Sequence, residues 1–234
     1  MNIVLQRGED EKMSELIKRI INYFRICPVT FYLILFNTII FILTLATGGF
    51  TVDNLVRLGG LVPAFVKLDN EYYRVIMAMF LHGSVIHFLM NMVALYFLGT
   101  AMERVMGHVR YLGLYFIAGI GSGVMIVLLG EPYELTIGAS GALYGIMSGL
   151  FFITLKKPNW FHPQGIKSIR SLTIINFAIT FLFPNISIIG HISGFVFGFL
   201  ACLLLVPKYP DFMKYRRENQ RSEDVPDDDN GPVA

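Results

Sequence analysis

The sequence predicts an all-α polytopic membrane protein, a six-transmembrane-helix bundle with both termini cytoplasmic. Three observations carry this. Of the 234 residues, 54% are hydrophobic and 15% charged, and the mean hydropathy is +0.58, outside the range of ordinary soluble domains. Charge-free runs of spanning length recur along the chain. The basic residues sort into alternate connections between those runs.

The runs give the elements in order. The first is about Val29–Ala46, the second lies within Val75–Met102, the third is about Tyr111–Leu129 and the fourth about Ile137–Leu155. Ser171–Pro207 holds no Lys, Arg, Asp or Glu, but "FPN" (Phe183–Asn185) breaks it. Pro184 has no N–H for the helical ladder. A short fifth helix and a sixth, about Ser187–Val206, follow from that break. Of the 19 basic residues, all but Arg57, Lys67 and Arg74 lie in the leader, the second-to-third connection, the fourth-to-fifth connection or the tail. The exceptions sit in the long first loop, and the connection 130–136 has none. The positive-inside rule places the basic segments, and so both termini, in the cytoplasm.

This divides the chain into a cytoplasmic leader (1–28), a six-helix membrane domain (29–206) and a charged tail (207–234) that reads as disordered. Apolar residues at helical spacing across Glu11–Phe24 fit an amphipathic interfacial helix, and fit an ordinary cytoplasmic helix equally well. The leader mixes acids and bases, and the first apolar run starts only near Val29, so no cleaved signal peptide is expected. Cys27 and Cys202 both fall on the cytoplasmic side, which argues against a disulfide.

Polar side chains inside spans are costly and mark function. Four stand out here: His87 and Asn91 in helix two, Ser140 in helix four and His191 in helix six. With the termini inside, these three helices all run inward from the outer surface, and the four residues share a shallow depth. His87 and Asn91 are spaced i, i+4 and share a face; taken alone they read as polar glue between helices. His82 sits near the helix entrance. Gly190, Gly194 and Gly198 recur every four residues, as do Gly141 and Gly145, a spacing that lets helices approach closely. Close approach of helices four and six brings Ser140 to His191. A serine hydroxyl is a weak nucleophile until a base takes its proton, and a neutral histidine supplies one. With no intramembrane carboxylate to orient the base, the pair is a dyad. Asn91, His87 and the Ser140 backbone N–H can donate to a developing oxyanion.

At these residues the chain resembles the rhomboid family of intramembrane serine proteases, in its minimal six-helix bacterial form. "GASG" (Gly138–Gly141) resembles the nucleophile motif and makes Ser140 the nucleophile. "GHISGFVFG" (Gly190–Gly198) resembles the histidine motif, making His191 the general base and Gly194 and Gly198 close-packing glycines. "HGSVIHFLMN" (His82–Asn91) resembles the second-helix motif, which puts His87 and Asn91 at the oxyanion site. Tyr144 matches the tyrosine that packs on the histidine, and Arg74 matches the segment entering helix two. Tyr73 stands where the family commonly has Trp, and Gly190 where Ala often stands.

The resemblance implies a rhomboid-like bundle in the cell membrane with its active site toward the extracytoplasmic face. It implies an endopeptidase acting on single-span or other membrane proteins whose helices unwind easily near the cut. Substrate would enter from the lipid bilayer, past helix five. No H-E-x-x-H motif and no paired intramembrane Asp point to metal or aspartyl chemistry. No cofactor, metal or nucleic acid is expected. Two rivals remain. One is a non-catalytic rhomboid-like protein that binds membrane clients, whose relatives usually lack the nucleophile or base. The other is a transporter relaying protons through histidines, which calls for carboxylate partners and internal symmetry.

Overall fold

The computed structural model describes residues 13, 15, 18, 23, 25–183 and 186–213. Most of the expected interfacial leader helix lies outside them, as do Pro184, Asn185 and the tail from 214 onward. Within the leader, the described Met13, Glu15, Lys18 and Tyr23 are helical.

Among the described residues, five helices are long and apolar enough to cross a membrane, and a sixth apolar helix is shorter. They are α1 (Pro28–Thr47), α2 (Val85–Met106), α3 (His108–Leu129), α4 (Ser140–Lys156), α5 (Pro163–Leu182) and α6 (Ile188–Leu205). The apolar side chains of α1, α2 and α5 are largely outward-facing, including Ile42, Met90, Phe97, Ile174 and Leu182. That inversion suits a protein whose solvent is hydrocarbon.

Local signals explain where the helices start. Pro28 begins α1, where its missing N–H is no loss. The N–H groups of Val29 and Thr30, which have no intrahelical acceptor, donate to the Glu103 carboxylate at 2.9 and 2.8 Å, and the Thr30 hydroxyl adds a third bond at 2.7 Å. Glu103 is buried, and His108 Nδ1 lies 2.7 Å from its other side. A carboxylate from the end of α2 thus caps the start of α1 and ties the two helices together at one face of the bundle.

Helix two starts at Val85, inside the charge-free run Val75–Met102 expected to hold it, and runs on to Met106. Residues from Arg74 form one helical turn and a 3₁₀ turn ending at Phe80, the chain then runs extended, and Ser84 opens α2 by accepting the His87 N–H at 3.0 Å. The apolar run Val75–Leu81, buried except at Ile76 and Met77, is therefore entrance segment and not part of α2. Helix four begins at Ser140 rather than near Ile137, and with 17 residues it is shorter than the 22-residue α3. Helix five is longer than the short element expected. It starts at Pro163, one residue after the capping His162, and spans 20 residues.

The centre is a trio of α3, α4 and α6. Every residue of α4 from Gly141 to Leu150 is buried. Gly194 and Gly198 of α6 lie on the α4 backbone: a Cβ added to Gly194 would fall on the Gly141 carbonyl, and one on Gly198 would meet the Gly145 backbone. Gly141 and Gly145 face α3 more closely, against Ser122 and Ala118. The small-residue seam is thus three-sided, and Ser122 fastens its upper end by donating to the Gly190 carbonyl at 2.8 Å. By contrast α5 buries only two residues, Thr173 and Thr180.

The first loop is a folded unit holding helical turns Val52–Arg57 and Pro63–Leu68. Arg74 is its clamp: the buried guanidinium donates to the Val56 and Gly60 carbonyls at 2.7 and 2.9 Å, pairs with Glu71 and lies over the Phe65 ring. Leu61 exchanges backbone hydrogen bonds with Thr136 at 2.8 and 3.1 Å, which fixes this loop to the chain leading into α4. Cys27 and Cys202 are buried free thiols.

Candidate active site

The chain into α4 is set by Gly138. Its φ of +124° is one that side chains rarely adopt, and its N–H donates to the Ala78 carbonyl at 2.8 Å. A Cβ there would also lie 2.8 Å from the His87 ring and 3.8 Å from Ser140 Oγ. Glycine at 138 therefore does two things. It permits the turn, and it lets the His87 ring lie against the backbone just ahead of Ser140.

Ser140 is the first residue of α4, and no side chain caps that helix start. Its N–H and those of Gly141 and Ala142 have no hydrogen-bond partner among the described residues. Three aligned donors at a helix N-terminus favour negative charge. Ser140 Oγ has no hydrogen bond among the described residues either. Ser140 lines a small cavity together with Gly138, Gly141, Ser187, Gly190 and His191. The structure therefore brings Ser140 and His191 to one cavity without joining them. Catalytic hydrogen bonds are often long in the unliganded state and tighten with substrate.

His191 enters through the first turn of α6, which Ser187 caps by accepting the Gly190 N–H at 3.1 Å. The ring is buried and stacks on Tyr144, with centroids 4.0 Å apart and planes 19° from parallel. Tyr144 is thus the wall of the histidine site that the sequence suggests. On the far edge, His191 Nδ1 lies 2.9 Å from Thr180 Oγ1. Sequence reasoning missed Thr180. A threonine in an apolar helix normally satisfies its hydroxyl on the i−4 carbonyl, so nothing marks one that also reaches a neighbour.

Asn91 is buried one turn below His87, and its amide donates to the His87 carbonyl at 2.9 Å. That leaves the second amide hydrogen for another acceptor. His82 lies behind this pair, with its ring centroid 5.1 Å from that of His87 and edge-on to Phe88. Neither His82 nitrogen has a hydrogen-bond partner among the described residues. Burial, with His87 adjacent, pushes its pKa down to about 3, so it stays neutral near pH 7 and acts as packing behind His87. Arg74 lies away from the cavity, in the loop clamp described above.

A family model, Rhomboid domain, matches residues 69–208. Similar proteins include Rhomboid protease GluP of Bacillus subtilis (strain 168), 33% identical over 187 residues, 79% of this chain and 36% of that protein. RHOMBOID-like protein 4 of Arabidopsis thaliana is 35% identical over 164 residues, 66% of this chain and 40% of that protein. RHOMBOID-like protein 1 of the same plant is 32% identical over 178 residues, 74% of this chain and 44% of that protein. The chain spans less than half the length of each of these relatives.

Proposed function

The chain belongs to the rhomboid family, and from that premise we propose that it is an intramembrane serine endopeptidase in which Ser140 is the nucleophile and His191 the general base. The observation that carries the reading is their shared cavity. Ser140 stands at an uncapped helix N-terminus there, and His191 lines the same cavity, stacked on Tyr144. Membership of the family says what kind of protein this is. The assignment of each residue rests on this geometry.

The steps follow from the groups present. His191 Nε2 takes the Ser140 hydroxyl proton as Oγ attacks the carbonyl carbon of the scissile bond. The carbonyl oxygen becomes an oxyanion, which the backbone N–H of Ser140, the His87 ring and the Asn91 amide stabilise. His191 then gives its proton to the leaving amine, and an acyl-enzyme remains for water to hydrolyse. A substrate helix must unwind before its carbonyl is open to attack, so segments with Gly, Pro or small residues near the cut are the natural targets. The late start of α4 supports a shallow site below the extracytoplasmic surface of the cell membrane, with both termini in the cytoplasm.

The test is cleavage of a single-span substrate with a labile helix by the full chain in liposomes. The wild type should cut and the Ser140→Ala protein should not. Failure of the wild type to cut any such substrate, while still capturing it, favours the client-binding alternative. His87→Ala and Asn91→Ala should each lower kcat by about 10- to 1000-fold if they donate to the oxyanion. Unchanged turnover returns them to a packing role. Orientation has its own test. A cysteine at the exposed Glu134 position should react with an impermeant maleimide added outside intact cells, with the two buried native thiols silent. Labelling from the cytoplasmic side alone would reverse the topology.

A further inference from the structure

We propose that Thr180 of α5 is the positioning residue for the general base: its hydroxyl accepts the His191 Nδ1–H and so holds the lone pair of Nε2 toward Ser140. The inference rests on the serine-protease reading of the site. It replaces the expected dyad with a three-member arrangement whose third member is neutral and comes from the most loosely packed helix.

The hydrogen-bond inventory around Thr180 selects the tautomer. A hydroxyl has one donor and two acceptor sites. Thr180 Oγ1 lies 3.0 Å from the Asn176 carbonyl, which can only accept, so the Thr180 proton belongs there. The Tyr144 hydroxyl contacts Thr180 Oγ1 and lies 2.7 Å from the same Asn176 carbonyl, so its single proton goes to one of these two oxygens. The remaining neighbour is His191 Nδ1, at 2.9 Å. With Nδ1 protonated, the Thr180, Tyr144 and His191 protons each find an acceptor in this cluster, giving three hydrogen bonds where the other tautomer gives two. With Nε2 protonated instead, Thr180 must turn its proton from Asn176 to Nδ1. His191 would then carry its N–H on Nε2, which cannot take the Ser140 proton.

The arrangement also fits the step itself. When Nε2 accepts the Ser140 proton, the imidazolium keeps its Nδ1–H on Thr180, and no proton moves along this edge of the ring. The same bond therefore orients the neutral base and supports the cation that forms from it. A carboxylate would stabilise that cation more strongly, but a lone carboxylate at this buried position would be costly. Burial agrees with such a role. Thr180 is fully buried, on a helix where Thr173 is the only other buried residue. Near the other end of α5, Arg170 donates to the Thr154 carbonyl of α4 at 3.0 Å. Helix five is thus pinned to α4 at two polar points, and one of them is shared with the base. The hold on Nδ1, unlike the stacking on Tyr144, lasts only while α5 is docked.

Thr180→Val keeps shape and removes the hydroxyl, whereas Thr180→Ser keeps the hydroxyl. In liposomes, Thr180→Val should lower kcat about 10- to 100-fold with KM within about twofold, and Thr180→Ser should recover most of the loss. Two results overturn the proposal: a Thr180→Val kcat within twofold of wild type, or a Thr180→Ser protein as slow as Thr180→Val. A second measurement needs neither activity nor a Thr180 variant. In the full-length Ser140→Ala protein carrying ¹⁵N-histidine, the His191 ring should show a protonated Nδ1 and a bare Nε2 at neutral pH. A protonated Nε2 with a bare Nδ1 overturns the assignment. Cleavage that survives Ser140→Ala would instead sink the serine mechanism, so the two failures are told apart.

Discussion

Ser140→Ala and His191→Ala should each abolish cleavage to within the background of a reconstituted assay, a loss of about 10⁴-fold or more in kcat. The size follows from the chemistry. Without Oγ there is no atom to attack the carbonyl, and without the imidazole the serine keeps its proton at neutral pH. The double variant should be no slower than either single one, because the two groups act in one step and the second removal finds nothing left to remove. Binding of substrate should survive in all three, since neither side chain fills the space that a helix would occupy. Single-turnover cleavage with excess enzyme in liposomes measures this directly. A His191→Ala protein that retains a tenth of wild-type kcat would mean that another group serves as base.

Gly194→Val should unfold the bundle at markedly lower temperature and also lose activity, although residue 194 does not line the cavity. The added Cβ falls on the Gly141 carbonyl, and backbone cannot rotate away as a flexible side chain can. The helices must part, at about 1–3 kcal/mol or more for overpacking. Parting α6 from α4 also draws His191 away from Ser140, and a displacement near 1 Å can lower a rate by about 10²-fold. Gly194→Ala should show the same two effects in smaller measure. Gly165→Ala is the control: its Cβ would meet no atom within 4 Å, so helix propensity alone should act, with stability unchanged or slightly raised. Thermal unfolding in detergent, read beside cleavage by the same samples, separates these cases. Full stability and full turnover in Gly194→Val would remove the seam from the account.

How far the sequence reveals this arrangement depends on the kind of signal each residue leaves. Ser140 and His191 are legible because each is a polar break in an apolar run, and the glycines at 141, 194 and 198 because their four-residue spacing is the mark of closely packed helices. Hydropathy located the apolar helices but misplaced the starts of the fourth and fifth, because it registers apolarity and not backbone geometry. The run through Val75–Leu81 is apolar yet belongs to the entrance segment, and the real start is marked by Ser84, whose cap is visible only beside His87. Lys167 and Arg170 read as loop, whereas α5 already starts at Pro163 and Arg170 folds back onto α4. Glu103 is a buried carboxylate just beyond the expected end of helix two, and its partners on α1 are more than 70 residues away. Thr180 leaves no mark at all, because its contact with His191 depends on the rotation of α5 against α6. Local signals survive in the sequence, and pairings set by how helices face one another do not.

Covalent capture of the nucleophile tests the central claim most directly. The full-length protein in detergent or liposomes is treated with a fluorophosphonate, and the adduct is located by intact mass and peptide mapping. A single phosphonyl group should form on Ser140, form far more slowly in His191→Ala, and be absent from Ser140→Ala. An adduct on another residue, or substrate cleavage that persists in Ser140→Ala, would contradict the assignment of Ser140 and His191 as the reacting pair.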